Sequence, residues 1–347
     1  MKNFWETLPR PFYALAPMED VTDAAFRHLI AKYGKPDVMF TEFISADGLI
    51  LGGKQNGGEL PRKLQAKLLF SEIERPIVAQ LFTSSPERME KAAALVAGSG
   101  FDGVDINMGC PDRTVERSGC GAALMKNPAL ARELIRAAKR GFCSNVRPTR
   151  SHMPVSVKTR IGYDKDELEA WLPELLAENP SAITLHARTR KEMSNVPAHW
   201  DAIARAVAIR DAMQNPRGDA SRMTLIVGNG DVRDLADART KAAATGCDGV
   251  MLGSAIFGNP FLFVNSNELA NSRERKLKVL IEHLYLFDKM LSDTVSYALM
   301  KKHFKAYISG WNGAKELRSR LMETTSVSDA QLILQKALHA TDMDRVI

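Results

Sequence analysis

The strongest constraint on this chain is a pattern repeated eight times: a short apolar or β-branched run, a turn rich in Gly, Asp or Asn, then apolar residues at helical spacing. The runs are Phe12–Pro17, Val38–Phe43, Ile77–Phe82, Gly103–Gly109, Val155–Ile161, Ala182–Arg188, Leu225–Gly230 and Gly249–Ser254. Helix-compatible segments alternate with them at Asp23–Tyr33, Pro86–Ala97, Pro128–Lys139, Glu167–Leu176, Trp200–Met213 and Asp234–Ala244. Several open on an Asp, Ser-Pro or Asn-Pro able to cap a first turn. Eight such units between residue 11 and about residue 260 predict an α/β fold of the (β/α)8 TIM-barrel type. A doubly wound open sheet ordinarily needs fewer strands and a Gly-rich first turn.

After Phe263 the strand pattern stops, and the spacing predicts helices over Glu274–Met290, Ser296–Ser309, Ala314–Met322 and Asp329–His339. The expected division is a barrel domain, residues 1–265, and a C-terminal helical domain, residues 266–347. The insertion Leu49–Leu69 is expected to be a loop with one short helix over the second strand.

With 45% hydrophobic and 25% charged residues, the composition excludes a disordered or fibrous chain. No stretch approaches the roughly 20 apolar residues of a membrane span, and the N-terminal Met-Lys-Asn-Phe-Trp-Glu lacks the apolar centre of a secretory signal, so the expected address is cytoplasmic. The four cysteines form neither a disulfide framework nor a C-x-x-C zinc pattern. The histidines are scattered, so no metal is expected.

In such a barrel, side chains at the strand C-termini face the active-site mouth. Here these ends are polar: Pro17-Met18-Glu19-Asp20, Thr41-Glu42, Gln80, Asp105 with Asn107 and Cys110, Lys158 with Arg160, His186 with Arg188, Asn229-Gly230-Asp231, and Gly253-Ser254. The seventh and eighth ends put glycine backbone where N–H groups can approach a phosphate; the plainer alternative is two tight βα turns. Lys158, inside a strand, calls for an anionic partner such as a reduced flavin, unless its head reaches solvent. Cys110, wedged between Gly109 and Pro111 after a strand, is the candidate for catalysis, whereas Cys120 and Cys247 read as packing residues. His186 is either a satisfied core histidine or a ligand contact.

Seven motifs in shared order carry a resemblance to a known family: Ala16–Arg27 (APMEDVTDAAFR), Asn107–Pro111 (NMGCP), Ser118–Leu124 (SGCGAAL), Lys158–Gly162 (KTRIG), His186–Arg190 (HARTR), Gly228–Asp231 (GNGD) and Gly258–Pro260 (GNP). Together with Lys302–Tyr307 in the tail, they make the chain resemble the tRNA-dihydrouridine synthases over nearly its whole length. The resemblance implies an FMN-dependent reductase of uridine in folded RNA, most naturally tRNA, with NADPH as electron source. It implies that Pro17, Met18, Glu19, Gln80, Lys158, His186, Asn229, Gly230, Asp231, Gly253 and Ser254 hold FMN. It further implies that Cys110 protonates C5 of the uracil after hydride reaches C6, with Asn107 and Arg160 beside the base. Arg188 is the further substrate contact expected at the mouth.

The target base must leave its stack, and backbone contacts have to compensate. Lys301, Lys302, Lys305, Lys315, Arg318 and Arg320 are the expected phosphate contacts, with Tyr307 and Trp311 as stacking partners; a solvated helix face is the competing reading. The protein is expected to be a monomer. Two departures stand out: Ser254 occupies the place of a usual Arg at the phosphate, for which Arg233 or Arg188 are substitutes, and Met193–Trp200 departs from the family form near the mouth. Other readings left open are a flavin barrel reducing a free pyrimidine, in the manner of dihydroorotate dehydrogenases, an RNA-binding barrel without catalysis, and ribosomal RNA as substrate.

Overall fold

A computed structural model describes residues 3–55, 59–144, 154–214, 223–264 and 272–343. Eight parallel strands form one sheet: β1 (Phe12–Leu15), β2 (Met39–Ser45), β3 (Ile77–Phe82), β4 (Gly103–Met108), β5 (Val155–Arg160), β6 (Ala182–His186), β7 (Leu225–Asn229) and β8 (Gly249–Leu252). Each strand pairs with its sequence neighbours and β1 pairs with β8. The ring closes where Ala14 bridges Val38, with the Leu15 N–H donating to the Val38 carbonyl at 3.1 Å. This is the expected barrel.

Helices α1 (Ala24–Gly34), α4 (Pro86–Gly98), α6 (Pro128–Ser144), α7 (Leu168–Leu176), α8 (Trp200–Gln214) and α9 (Leu235–Thr245) follow the strands as the apolar spacing predicts. Asp23, Ser85 and Asp234 accept hydrogen bonds from the first turns of α1, α4 and α9, satisfying donors that a helix start leaves bare. A single turn, α5 (Arg113–Arg117), follows β4 and is capped by Asp112. The 49–69 insertion differs from expectation. It holds two helices, α2 (Ala46–Gln55), continuing directly from β2, and α3 (Arg62–Leu68).

The two ends of the barrel are chemically opposite. At the bottom, a 3-10 turn (Phe4–Glu6) drives the fully buried Trp5 against Phe12 and Phe40, with ring centroids 5.6 and 6.4 Å apart. Above it lie Ala14, Val38, Val78, Ala182, Val227 and Met251, an apolar plug that leaves the top as the polar end.

Past the barrel come α10 (Arg273–Leu291), α11 (Met300–Tyr307), α12 (Ala314–Glu323) and α13 (Val327–Met343). The segment expected as one helix over 296–309 is a 3-10 turn at Tyr297–Leu299 running into α11. One apolar cluster runs from the barrel's outer face into these helices, and Phe26 of α1 stacks on His283 and touches His303, each at 4.9 Å between centroids. The division expected at residues 265 and 266 lies outside the described residues, as do His152 and the side chain of Cys143.

Arg27 has a structural function. It is fully buried, donates through Nε to Glu74 at 2.8 Å, and gives Nη1 and Nη2 to the carbonyls of Thr22 and Leu69. Glu74 in turn accepts from the backbone N–H and hydroxyl of Ser71. Removing one partner of such a pair leaves a desolvated charge, so Glu74→Ala is expected to cost about 3–5 kcal/mol in urea unfolding. A loss under about 1 kcal/mol, the value of an exposed pair, would contradict this assignment.

Candidate active site

Strand alternation builds the mouth. Successive residues point to opposite sides, so Asp105 and Asn107 on β4, and Lys158 and Arg160 on β5, turn inward together. The ladder sets Gln80 beside Asp105, Asn107 beside Lys158, and Arg160 beside His186, which is itself beside Asn229. Gln80, Asn107, Lys158, Arg160, His186 and Asn229 are thus brought together on neighbouring strands.

Asp105 anchors a buried network. It accepts from Ser156 Oγ at 2.6 Å and from Gln80 Nε2 at 2.8 Å, and the Gln80 carbonyl accepts from Asn107 Nδ2 at 3.3 Å. Burial pushes its carboxyl up to about 6, against the pull of these hydrogen bonds and of Lys158. Asn107 then spends its Oδ1 on the Gly109 and Cys110 N–H groups at 3.2 and 3.0 Å, fixing the turn that carries the thiol. The inward alternation of Asp105 with Asn107 was the signal for this carboxylate, which the family pattern had not singled out.

Burial holds Lys158 down to about 8, with the Arg160 charge adding to the effect and Asp105 opposing it. Among the described residues, no hydrogen bond or ion pair engages its ammonium. The largely buried ring of His186 is driven down to about 2 by desolvation and then by Lys158, Arg160 and Arg188, so it is neutral. Arg188 can only donate, at 3.4 Å to Nε2, which places the imidazole proton on Nδ1. That buried Nδ1 has no acceptor among the described residues. An uncommitted ammonium and an uncommitted N–H donor at one mouth, with two guanidiniums behind them, fit an anionic, carbonyl-bearing group such as a reduced flavin.

The arginines divide their tasks. Arg160 gives Nε to the Gly109 carbonyl at 2.9 Å and Nη1 to the carbonyls of Thr189 and Met193, both at 3.1 Å. Nothing among the described residues engages its Nη2. Arg188 is 5% exposed and locked between Asp231, the Val196 carbonyl and His186. Asp231 also accepts from the Ala198 N–H at 2.8 Å, and Trp200 Nε1 donates to the Gly230 carbonyl at 2.8 Å. The 193–200 segment is therefore strapped to the β7 turn by Arg188, Asp231 and Trp200.

At the β7 end Asn229 donates to the Met251 carbonyl at 2.8 Å, and Gly230 lies at φ 125, conformational space that glycine enters without strain. Gly253 comes within reach of Ala16 and Met18, and Ser254, exposed, starts a short 3-10 turn. Pro17 and Met18 are half-buried at the same edge. Of the two substitutes for the missing phosphate arginine, Arg188 is already spent on Asp231, whereas Arg233 is 81% exposed and only loosely paired with Asp237 at 3.4 Å. Glu19 faces outward, paired with Lys67.

Cys110 is half-buried at the mouth, and burial pushes its thiol up, partly countered by a backbone hydrogen bond from Asp112 and then by the charges of Lys158 and Arg160. A protonated thiol at neutral pH suits an acid rather than a nucleophile. Cys120 and Cys247 are buried, with their sulfurs on the carbonyls of Ser118 and Gly249.

The tail cations also converge. Lys301, Lys302, Lys305, Lys315 and Arg318 line one cavity of about 590 Å³ between α11 and α12, where Glu323 is the single carboxylate. Arg320 does not line it. The expected stacking role of Tyr307 is overturned: Tyr307 is fully buried beside His283, because it lies on the inner face of α11 with Phe304 and His303. A second cavity of about 450 Å³ separates the barrel rim from the tail and is lined by Glu19, Asp20, Glu42, Lys67 and Lys302 among others. The oxygens of Glu19, Asp20 and Glu42 lie within 4.8 Å of one another, but Lys67 and Lys302 already neutralise Glu19 and Asp20.

The family model for dihydrouridine synthase (Dus) matches residues 14–342. The chain belongs to that family. It is 39% identical over 345 residues to a probable tRNA-dihydrouridine synthase of Staphylococcus aureus (strain COL), covering 99% of this chain and 98% of the relative. To the probable tRNA-dihydrouridine synthase 2 of Bacillus subtilis (strain 168) it is 40% identical over 336 residues, 96% of each chain. Among solved structures, histamine dehydrogenase from Rhizobium sp. 4-9 superposes with a TM-score of 0.50 at 12% identity, over 79% of this chain and 48% of that one, a likeness of fold alone. Among the described residues, no helix is long and apolar enough to cross a membrane.

Alkylation of Cys110 by iodoacetamide, followed by peptide mass mapping, is expected to titrate above the ordinary thiol value of about 8.5. Lys158→Met should move that midpoint only slightly, because Lys158, held down to about 8, has lost most of its charge before the thiol titrates. A midpoint at or below the free value would contradict this electrostatic picture.

Proposed function

We propose that this protein reduces uridine to 5,6-dihydrouridine in RNA, with tRNA as the substrate, FMN as cofactor and NADPH as electron donor. Family membership supports the substrate class. The observation that supports the chemistry is one polar mouth that gathers the raised thiol of Cys110 with Lys158 and the His186 Nδ1–H, the last two without a hydrogen-bonding protein partner among the described residues.

In this reading Lys158 and His186 hold the flavin's polar edge, and Gln80, Pro17 and Met18 line its ring. The β7 and β8 turns, through Asn229, Gly230, Gly253 and Ser254, take its phosphate, with Arg233 as the cation in place of the absent family arginine. Arg188 and Asp231 act one layer back, holding His186 and the β7 turn. Glu19 contributes from the rim. The chemistry FMN supplies when bound is a hydride, drawn from NADPH, for C6 of the uracil. Cys110 donates a proton to C5 from the other face, while Asn107 and the free Nη2 of Arg160 stabilise charge on the uracil carbonyls. A donor of that kind is worth about 2.7–4 kcal/mol in comparable sites.

The chain acts as a cytoplasmic monomer in this reading, with residues 266–347 as the RNA-binding unit and the basic cavity between α11 and α12 gripping backbone phosphate. Release of counterions there offsets the few kcal/mol needed to unstack the target base.

The purified protein should be yellow or become so with FMN. Cys110→Ala should keep the colour and lose turnover, read as the two-hydrogen mass gain on uridine in RNA digests. A colourless chain that cannot be reconstituted would end this proposal. For the tail, Lys305→Glu with Lys315→Glu should raise KM for RNA and lower the slope of log affinity against log salt by about two, one per lost phosphate contact. An unchanged slope would remove the cavity from the RNA interface.

A further inference from the structure

We propose that Gly121 and the Ala122 amide are positioning elements for the Cys110 thiol, a role that rests on the reading of Cys110 as the proton donor. The Ser118–Leu124 stretch reads from sequence as packing. In space it lies directly under the Cys110 turn. Gly121 is buried at φ 59, and a Cβ there would sit 2.7 Å from the Cys110 carbonyl oxygen, 2.9 Å from Val115 Cγ1 and 3.3 Å from Cys110 Cβ. The next residue completes the contact, since the Ala122 N–H donates to the Cys110 carbonyl at 2.9 Å.

The turn is thus held at four backbone points. Asn107 Oδ1 accepts the N–H groups of Gly109 and Cys110, Arg160 Nε donates to the Gly109 carbonyl, and Ala122 donates to the Cys110 carbonyl. Three of these depend on long polar side chains from β4 and β5. The fourth requires the 121 backbone to lie against Cys110, which only a residue without a Cβ allows. Proton transfer to one carbon of a planar ring is sensitive to placement, and an error near 1 Å costs on the order of 100-fold in rate. The absent side chain at position 121 therefore fixes where the thiol points.

Gly119 provides an internal control. It also occupies left-handed space, at φ 74, but its Cβ would meet only Ser84 Cβ at 3.4 Å, an ordinary contact away from Cys110. Gly119→Ala and Gly121→Ala therefore share backbone strain and differ in what they push. In the FMN-loaded enzyme, Gly121→Ala is expected to lower kcat on RNA about 100-fold with KM for RNA little changed. Bleaching of the flavin by NADPH, which needs no thiol, should keep its rate. The same variant should alter the iodoacetamide reactivity of Cys110, whereas Gly119→Ala should match the wild type in both readouts.

Equal losses in the two variants, or wild-type kcat and alkylation in Gly121→Ala, would overturn the proposal. If Gly121→Ala does not accumulate as folded protein, the Val115→Ala, Gly121→Ala double variant removes the contact with Val115 while keeping that with Cys110, and the same readouts decide. Full RNA reduction by Cys110→Ser would defeat the proton-donor reading instead, and the clamp itself would then stand or fall on the alkylation rates.

Discussion

Charge balance inside a closed ring of strands governs this structure. The bottom of the barrel is filled by Trp5, Phe12 and Phe40, so every polar residue directed inward is forced into the upper layer, where solvent screening is weak. Lys158, Arg160 and Arg188 carry three positive charges there. Asp105, itself pushed toward neutrality, and Asp231, drawn to Arg188, compensate only in part. Burial first, and the remaining excess after it, keep His186 neutral and hold Lys158 down to about 8. A mouth with this imbalance attracts an anion, and the same field pulls on the Cys110 thiol while burial opposes it. The pull of the mouth on an anion and the acidity of the Cys110 thiol are therefore coupled through a single layer of side chains.

The barrel was legible because its elements obey local rules. All eight strands fall within a few residues of the apolar runs, and Asp23, Ser85 and Asp234 cap helices where the sequence places starts. The helical insertion after β2 was less legible. The adjacent glycines at 52 and 53 read as loop residues, yet Gly52 packs against the ring of Pro61, which no local pattern reveals. Likewise, the break in the 296–309 segment comes from Ser296, whose hydroxyl caps the 3-10 turn instead of leading straight into an α-helix.

At the site, residue type and position on a strand were enough to locate the mouth, because alternation fixes which side chains point inward. They could not say which polar groups were already committed. Arg188 and Arg160 look alike in the sequence, yet Arg188 is spent on Asp231, Val196 and His186, whereas Arg160 retains one nitrogen. Tyr307 looked like a stacking partner for a base because it stands among lysines, but helix periodicity turns it inward with His303 and Phe304. Gly121 was unreadable for a different reason: its contribution is the room it leaves for a residue eleven positions earlier.

The positive regions at the barrel mouth and in the tail cavity do not form one continuous strip. Between them lie Glu19, Asp20 and Glu42, and burial pushes Glu42 up to about 7. Lys302 spans the gap, pairing with Asp20 at 2.7 Å while lining both cavities. Half-exposed pairs of this kind are individually weak, worth roughly 0–1 kcal/mol, so a phosphate approaching the tail can compete with Asp20 for the ammonium.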